Sequence, residues 1–315
     1  MKRILIIILV ALIGICLFAY PIVSNYQFSL RANGATQEYD NAIDQKAKDD
    51  IEKAWQEAVL YNENLEGNPA HDPFLKDSGM VLPQNYKNVL NFDTTGSMGY
   101  ITIPKIDVRL SVFHGTAETV LQEGIGHMEG SSLPIGGAGT HCVLTGHTGM
   151  AHAKLFTDIR DLKDGDMFYL HTLDQTLAYK VDQIKIVDPG DTSDLRRDSD
   201  KDYCTLITCT PYGINSHRLL VRGVRVEYST ETEQEQAMEQ EIRSPSMLSW
   251  FKEWNIMIGL AVGFSVLIII FIPVIIRRRK KDKKTAIERT LTEWEERIQS
   301  MEAGQNIRGK DENGL

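Results

Sequence analysis

Thr205-Leu-Ile-Thr-Cys-Thr-Pro-Tyr-Gly-Ile-Asn-Ser-His-Arg218 places two chemically distinctive residues in a simple pattern. Cys209 ends a short apolar run, and Arg218 begins a second one, Leu-Leu-Val-Arg-Gly-Val-Arg-Val. A turn rich in Pro, Gly and Asn joins the two runs, which predicts neighbouring antiparallel strands. In that geometry Cys209 and Arg218 face one cleft, and a thiol nucleophile beside a fixed cation is half of a cysteine acyl-transfer site.

A histidine would complete such a site, and the segment Thr140–His147 supplies His147 as the candidate. A thiolate is a strong nucleophile. A histidine can pair with it and then protonate the leaving amine. Arg218 is always charged and can stabilise the oxyanion of the tetrahedral intermediate. Arg222 is the alternative cation because it shares a strand face with Arg218, whereas Arg225 points the other way. The alternative bases are His71, His114, His127, His141, His152, His171 and His217.

The composition is that of ordinary globular protein. The chain has 315 residues, 42% hydrophobic and 24% charged, enough for one large domain or two small ones. Its formal net charge of −9 leaves no broad cationic surface for phosphates, so nucleic acid is not an expected partner. The thiol chemistry outlined above requires no cofactor.

Two apolar stretches predict a membrane topology. Ile4–Val23 carries no charge, follows Lys2 and Arg3, and has about the ~20 residues that cross a bilayer. A cleaved signal peptide is the alternative, but the stretch lacks a clear small-x-small cleavage site, which favours an uncleaved anchor. The second stretch, Asn255–Ile276, precedes the basic cluster Arg277–Lys281, a stop-transfer pattern. The sequence therefore predicts a cell-membrane protein with both termini cytoplasmic and the intervening region outside.

The four cysteines restrict the disulfide chemistry. Cys16 lies in the first apolar stretch, and Cys204 and Cys209 lie five residues apart in one predicted strand. That distance, roughly 16 Å, exceeds the ~7 Å limit for a disulfide, whereas a bridge between Cys142 and Cys204 stays open. Zinc bound by Cys142, His147, Cys204 and Cys209 is the rival chemistry. It is disfavoured because strand residues five apart face opposite ways.

The pattern of apolar residues changes along the chain. Residues 36–66 are predicted to form a helix, and residues 67–98 to form a Gly/Pro-rich loop. Short β-type runs then continue to Glu227, and many strands with little helix predict a closed or nearly closed barrel. An amphipathic helix is predicted near the C-terminus, around Ile287–Met301. The predicted helix 36–66 rests on Tyr39, Ile43, Ala47, Ile51, Ala54 and Ala58. The predicted strands are Tyr100–Ile103, Val108–Phe113, Cys142–Thr145, Met167–His171, Leu177–Val187, Cys204–Cys209 and Leu219–Val226.

The signature Thr-Leu-Ile-Thr-Cys209 resembles the TLxTC motif of sortases, membrane-anchored cysteine transpeptidases of Gram-positive surfaces. The spacing to Arg218 and the segment Thr145-Gly-His147 are similar to the same family, which implies His147, Cys209 and Arg218 as its catalytic residues. Asp72-Pro73-Phe74 resembles the lid of class C, pilin-polymerising sortases, which also carry a second membrane span. Without that resemblance, Asp72-Pro73 is an ordinary turn.

The resemblance implies a mainly β fold: a sortase-type closed barrel with an N-terminal helix and lid loop, flanked by two transmembrane helices. It implies cleavage of an LPxTG-like sorting signal between Thr and Gly, and transfer of the acyl group to a pilin lysine. The expected partners are therefore pilin subunits and the lipid bilayer. Two alternatives stay open: a housekeeping-type sortase that uses the peptidoglycan precursor as acceptor, and a non-enzymatic membrane scaffold. The expected segments are 1–24 (anchor), 25–98 (helix and lid), 99–228 (barrel), 229–253 (acidic stalk), 254–276 (second span) and 277–315 (cytoplasmic tail).

Overall fold

The computed structural model describes residues 2–65, 85–91, 96–150 and 152–234, together with isolated helical positions between 273 and 294. The chain divides into two compact units. One contains Ala19–Ser246 and carries every strand found in the described residues. The other contains Met1–Phe18 and Met247–Leu315, and most of its C-terminal part lies outside the described residues.

Two helices precede the β-structure. Helix α1 spans Lys2–Asp44 and helix α2 spans Lys48–Glu63. The single helix predicted over 36–66 is therefore two helices, because the backbone turns extended at Ala47, which caps α2 with a ψ of 143°. Apolar periodicity continues across the break, so the sequence pattern did not reveal it. Five of the six residues on which that helix was predicted are buried as expected, namely Tyr39, Ile43, Ile51, Ala54 and Ala58.

Eight strands form a closed barrel in the part of the chain that the structure describes, in the order β1-β2-β3-β4-β7-β8-β6-β5. The mainly β fold and the closed barrel predicted from the sequence are confirmed. The pairings β2–β3 and β4–β7 are parallel, and the others are antiparallel. The strands are β1 Ser97–Ile103, β2 Val108–His114, β3 Ile125–His127, β4 Thr140–Thr145, β5 Met167–Thr172, β6 Gln175–Val187, β7 Asp202–Thr210 and β8 His217–Val226.

One short α-helix and one short strand were not predicted, and neither were three 3₁₀ helices, at Pro104–Ile106, Thr157–Asp161 and Ser193–Leu195. Helix α3 spans Glu118–Glu123 and leads directly into β3. Both are too short for either apolar periodicity to show, since an amphipathic helix needs several turns and an alternating strand at least four residues. Leu121 is the buried residue of α3, and its side chain lies against the backbone of Gly126 in β3. The buried Leu121 therefore packs the short helix against the barrel wall.

Alternation along each strand divides the side chains between two faces. The interior is filled by one large apolar cluster, to which β7 contributes Cys204 and Leu206, and β8 contributes Leu219 and Val221. A second, smaller cluster covers the outer face of the same sheet region, where Leu195 from the β6–β7 connection packs on it. Its members are Met128, Val143, Leu195, Ile207 and Leu220.

One helical segment in the described residues, Leu12–Asp44, is long and apolar enough to cross a membrane. The most apolar part of this segment is not buried inside the protein. The segment begins inside the predicted first span, Ile4–Val23, and α1 continues unbroken through residue 24, where the anchor was expected to end. The predicted second span, Asn255–Ile276, and most of the predicted tail helix lie outside the described residues.

Candidate active site

Cys209 and Arg218 are direct partners across the antiparallel β7–β8 ladder. Residues directly opposite one another in such a ladder point to the same face, with Cβ atoms about 4.5–5.5 Å apart. Cys209 also shares its face with Ile207, and Arg218 shares its face with Leu220, so both lie on the outer side of the barrel. The predicted strand pair is therefore present, and Cys209 and Arg218 lie on the same face of it.

His147 follows the last residues of β4, which runs parallel to β7. The β4–β7 ladder ends at Thr145 opposite Ile207. Two further hydrogen bonds extend the contact: the amide of Gly146 donates to the carbonyl of Ile207 (3.1 Å), and the Thr208 hydroxyl donates to the carbonyl of Gly146 (2.7 Å). His147 lies two residues beyond Thr145, as Cys209 lies two beyond Ile207. The imidazole, the thiol and the guanidinium thus emerge at one end of three adjacent strands.

The backbone around His147 is fixed on its other side as well. Its carbonyl accepts a hydrogen bond from the amide of Phe156 at 3.1 Å, and the Phe156 side chain is fully buried in the barrel core. A Cβ on Gly146 would lie only 2.8 Å from the Phe156 ring, so the chain approaches the core here without room for a side chain. This close approach places His147 at the rim of the barrel, with 20% of its side chain exposed.

Arg218 is held in a largely buried position, with 7% of the residue exposed. Its Nη1 atom donates to the carbonyls of Asn215 and His217, each at 3.2 Å. Both carbonyls belong to the β7–β8 turn or its edge, so the turn itself aims the guanidinium. A fixed, water-poor cation interacts more strongly with a developing oxyanion than a mobile one in water does.

The alternative arginines are engaged elsewhere. Arg222 makes a two-pronged pair with Asp182, at 3.0 and 2.7 Å, and stacks over the Tyr203 ring at 4.2 Å. It pairs with Thr205, four residues before Cys209 along β7, which is roughly 13 Å of strand. Arg225 lies over the Tyr179 ring. Among the three arginines of β8, Arg218 is the one directly opposite Cys209.

Most of the alternative histidines are engaged in contacts away from Cys209. His114, His127, His141 and His171 accept or donate hydrogen bonds in buried or half-buried networks. His217 lies at the β8 edge near Asp188, at 3.5 Å. His152 lies in the connection after β4, five residues beyond His147, and His71 falls outside the described residues.

His141 links the first threonine of the signature to the connection between β6 and β7. One ring nitrogen lies 2.7 Å from the hydroxyl of Thr205, and the other lies 2.9 Å from the carbonyl of Arg196. Burial disfavours the charged ring and lowers the pKa of His141 to about 4, against a partial opposing effect of the Arg196 carbonyl. The neutral imidazole therefore ties the β6–β7 connection to β7 above the outer cluster.

Cys142 and Cys204 are neighbours in the parallel β4–β7 ladder, and both are buried as free thiols. Burial, reinforced by the neighbouring Cys142 thiol, raises the pKa of Cys204 well above its usual value. The Cys204 thiol thus fits the role of apolar filling within the core. Against the opposing effect of burial, hydrogen bonds from Cys204 and His127 lower the pKa of Cys142 to about 6. The described residues hold no group of three or more His, Cys, Asp or Glu side chains arranged to bind a metal. Cys204 and Cys209 do share a strand, as the spacing predicted.

Two polar contacts at this site escaped the sequence reasoning. Thr208 is buried and fixes the residue before His147, as described above. Glu118, the first residue of α3, places Oε2 at 3.4 Å from Nε2 of His147. The alternation along β7 could have pointed Thr208 inwards, but nothing in the spacing of Glu118 connects it to His147, because the contact depends on how α3 packs.

The β7–β8 turn forms an apolar rim beside the thiol. Tyr212 and Ile214 are 58% and 72% exposed, which is unusual for such large side chains in one turn. Gly149, in the segment after His147, has a φ of +75°, and a Cβ there would lie 3.1 Å from the Tyr212 ring. The two segments that flank Cys209 therefore approach closely at this point. The predicted lid residues Asp72, Pro73 and Phe74 lie outside the described residues.

Comparisons with known proteins point to one family. The model of the sortase domain family matches residues 101–226. Sortase A of Bacillus anthracis is 30% identical over 155 residues, which cover 49% of this chain and 72% of that protein. A crystal structure of Streptococcus pneumoniae sortase C, described with pilin substrate specificity, is 44% identical and has a TM-score of 0.57. This match covers 62% of this chain and 97% of the sortase C chain. Sortase C-1 of Actinomyces oris is 47% identical, with a TM-score of 0.55, over 57% of this chain and 99% of its own.

The closed eight-stranded barrel and the similarity to sortases identify the chain as a cysteine transpeptidase of the sortase type. The chain belongs to the sortase family.

Proposed function

We propose that this chain is a class C sortase, which joins pilin subunits into a polymer. The observation that supports the transpeptidase chemistry is the direct cross-strand pairing of Cys209 with Arg218. This pair lies at the end of β7, the strand to which Gly146, the residue before His147, is hydrogen-bonded. Support for the class comes from the sequence Asp72-Pro73-Phe74 and from the similarity to solved sortase C structures, one of them described with pilin substrate specificity.

The reaction begins with attack of the Cys209 thiolate on the Thr carbonyl carbon of the Thr–Gly peptide bond in an LPxTG-like signal. Arg218 donates hydrogen bonds to the oxyanion of the tetrahedral intermediate. His147 gives its proton to the leaving glycine amine as the C–N bond breaks, and a thioester remains on Cys209. A lysine amine of a neighbouring pilin then attacks the thioester, and His147 accepts a proton from that amine. The C–S bond breaks, which releases the isopeptide product and regenerates the Cys209 thiolate. No cofactor enters this sequence.

The lid belongs to the same proposal and rests on the sequence alone. Phe74 covers the Cys209 thiol, and Asp72 approaches Arg218 through a charge-assisted contact. Pro73 holds the backbone of the turn between them. A substrate must displace this segment before acylation, so the lid sets the accessibility of the thiol.

The membrane arrangement is also proposed. Residues 1–24 and 254–276 anchor the chain, and the barrel, 99–228, lies on the outer side between residues 25–98 and the stalk 229–253. The tail, 277–315, lies in the cytoplasm with its basic cluster at the membrane. This arrangement places the thiol where secreted pilin subunits with sorting signals emerge at the surface of a Gram-positive cell.

The experiment uses full-length chain in detergent, a fluorescent peptide with an LPETG core, and a lysine-bearing pilin-derived peptide as acceptor. We expect a ligated product from the wild type, or, if the lid keeps the wild type closed, from the Asp72→Ala/Phe74→Ala variant. We also expect a covalent acyl-enzyme, which mass spectrometry should locate on Cys209. Cys209→Ala should abolish both. Cys16→Ala is the matched control, because it removes an exposed thiol from the N-terminal helix and should leave both unchanged.

The acceptor distinguishes the two enzymatic possibilities. Ligation to a pilin lysine in preference to an oligoglycine or cross-bridge peptide supports pilin polymerisation. Preference for the cross-bridge amine would instead assign the chain to anchoring of proteins on the peptidoglycan precursor. Ligation by Cys209→Ala at the wild-type rate would refute the thioester mechanism. Absence of a ligated product from both the wild type and the Asp72→Ala/Phe74→Ala variant, with either acceptor, would leave the scaffold alternative.

A further inference from the structure

A carboxylate contacts the imidazole of the proposed active site. Oε2 of Glu118 lies 3.4 Å from Nε2 of His147. The other oxygen of the same carboxylate, Oε1, accepts a hydrogen bond from Nε2 of Gln122 at 3.1 Å, one helical turn further along α3. The two oxygens therefore have different partners, and Gln122 restrains the rotation of the group that contacts His147.

The backbone that carries Glu118 is anchored on both sides. After it, the buried Leu121 packs α3 against β3. Before it, the amide of Gly115 donates to the hydroxyl of Tyr86 at 2.9 Å, and the ring of His114 lies 2.8 Å from the carbonyl of Val89. Tyr86 is itself fully buried. Glu118 therefore projects from a fixed segment, although its own side chain is 64% exposed.

The contact with Glu118 determines which ring nitrogen of His147 carries the proton in the neutral imidazole. A neutral ring carries one proton, and a carboxylate beside one nitrogen holds the proton there, which leaves the other nitrogen as acceptor. With Glu118 at Nε2, the proton that moves during catalysis is the one at Nδ1. Catalytic bases in nucleophilic enzymes are commonly oriented by a third group in this way.

We propose that Glu118 is a positioning residue of the acyl-transfer reaction, which holds His147 through Nε2 so that Nδ1 exchanges protons with the substrate amines. The inference rests on the proposed function, because it assigns His147 a proton-transfer role. In acylation the Nδ1 proton passes to the leaving amine as the C–N bond breaks. In the second step Nδ1 takes a proton from the attacking lysine amine as the C–N bond forms and the C–S bond breaks, so the ring ends in its starting state.

The test compares Glu118→Ala, Glu118→Gln and Gln122→Ala in the LPETG ligation assay. The matched control is Glu123→Ala, an exposed glutamate at the other end of α3. We expect Glu118→Ala to lower kcat about tenfold at unchanged KM, a part of the ~10²–10⁴-fold that general acid–base catalysis contributes. Glu118→Gln keeps an acceptor oxygen for Nε2–H and should recover most of the loss. Gln122→Ala should lose about two- to threefold, and Glu123→Ala nothing.

A second readout separates orientation from folding. In ¹⁵N-imidazole NMR spectra at a pH where the ring is neutral, wild type and Glu118→Gln should carry the His147 proton on Nε2. Glu118→Ala should distribute it over both nitrogens. Unfolding temperatures should agree within about 2 °C among these variants, because an exposed ion pair contributes little to stability.

The two proposals fail in different ways. If His147→Ala or Cys209→Ala retains ligation, the proposed function is wrong. If both are inactive while Glu118→Ala matches Glu123→Ala in kcat and in the His147 spectrum, the function stands and the role of Glu118 is refuted. A loss in Glu118→Ala through KM alone would also overturn it, because that pattern indicates substrate binding.

Discussion

Cys209 of β7 lies directly opposite Arg218 of β8, and this register alone sets the thiol beside the guanidinium. Because side chains alternate with a period of two, a slip of one residue would move one of them to the barrel interior. The interior apolar cluster, with Leu206 and Leu219, prevents such a slip. The packing of the barrel core therefore also fixes the position of the Cys209 thiol opposite the Arg218 guanidinium.

The first prediction concerns the shape of that cation. Arg218→Lys keeps the charge but loses the fixed fork of donors that the carbonyls of Asn215 and His217 aim. We expect a loss of kcat on the order of 10²-fold, as for removal of one oxyanion donor. The measurement is acyl-enzyme formation on Cys209 under single-turnover conditions.

Arg222→Lys serves as its control on the same strand. This substitution breaks the two-pronged pair with Asp182 and the stacking on Tyr203, so it should reduce stability while activity stays within about threefold. Equal losses of activity in Arg218→Lys and Arg222→Lys would argue against a special role for Arg218.

The second prediction concerns Thr208, whose hydroxyl holds Gly146 and thereby the backbone that leads to His147. Thr208→Val has the same shape but leaves the Gly146 carbonyl without this buried donor, which costs about 1–3 kcal/mol. We expect a lower unfolding temperature together with about a tenfold lower kcat. Thr208→Ser restores the hydroxyl and should recover most of the activity. A Thr208→Val enzyme with full kcat would show that this hydrogen bond does not position His147.

The third prediction is a pH dependence of stability that originates at His141. Its folded-state pKa is about 4, below the usual 6.5, because burial disfavours the charged ring. Below pH 6.5 the unfolded chain takes up a proton that the folded chain does not, so stability falls as the pH decreases from 6.5 towards 4. The maximum loss is about 3 kcal/mol for a shift of this size. It stops growing below the folded-state pKa.

Urea denaturation of wild type at pH 7.5 and pH 4.5 measures this effect. His141→Gln keeps hydrogen-bonding groups near Thr205 and Arg196 and does not titrate in this range. The variant should be less stable at pH 7.5 and should lose less stability on acidification. The same loss in both proteins would assign the pH dependence to other groups.

The fourth prediction tests the lid. Replacing Asp72 and Phe74 with alanine should raise the rate at which iodoacetamide labels Cys209, because the proposed cover over the thiol is removed. Labelling is followed by mass spectrometry of the Cys209 peptide in a Cys16→Ala background. The control is Asp77→Ala, a nearby acidic residue outside the Asp-Pro-Phe motif. An unchanged rate in the double variant would rule out a plug.

Much of the barrel was readable from the sequence because its strands are short, apolar and separated by turns rich in Gly and Pro. Seven of the eight strands were predicted near their observed positions, and the signature around Cys209 and Arg218 fell on the predicted strand pair. The strand and the α-helix that were missed, β3 and α3, are too short to generate a periodic pattern. The break between α1 and α2 escaped notice because apolar spacing continues across it.

What the sequence by itself determined is local: the strand pair that joins Cys209 to Arg218 is contiguous, so a turn and an alternating pattern suffice to align them. What only the tertiary structure decided is non-local. It bonded Gly146 to β7, thereby bringing His147 to the end of that strand, and it placed Glu118 against the imidazole. The parallel β4–β7 pairing joins residues about sixty positions apart, and the packing of α3 depends on a single buried leucine. Such contacts follow from how the barrel closes, which no short-range spacing encodes.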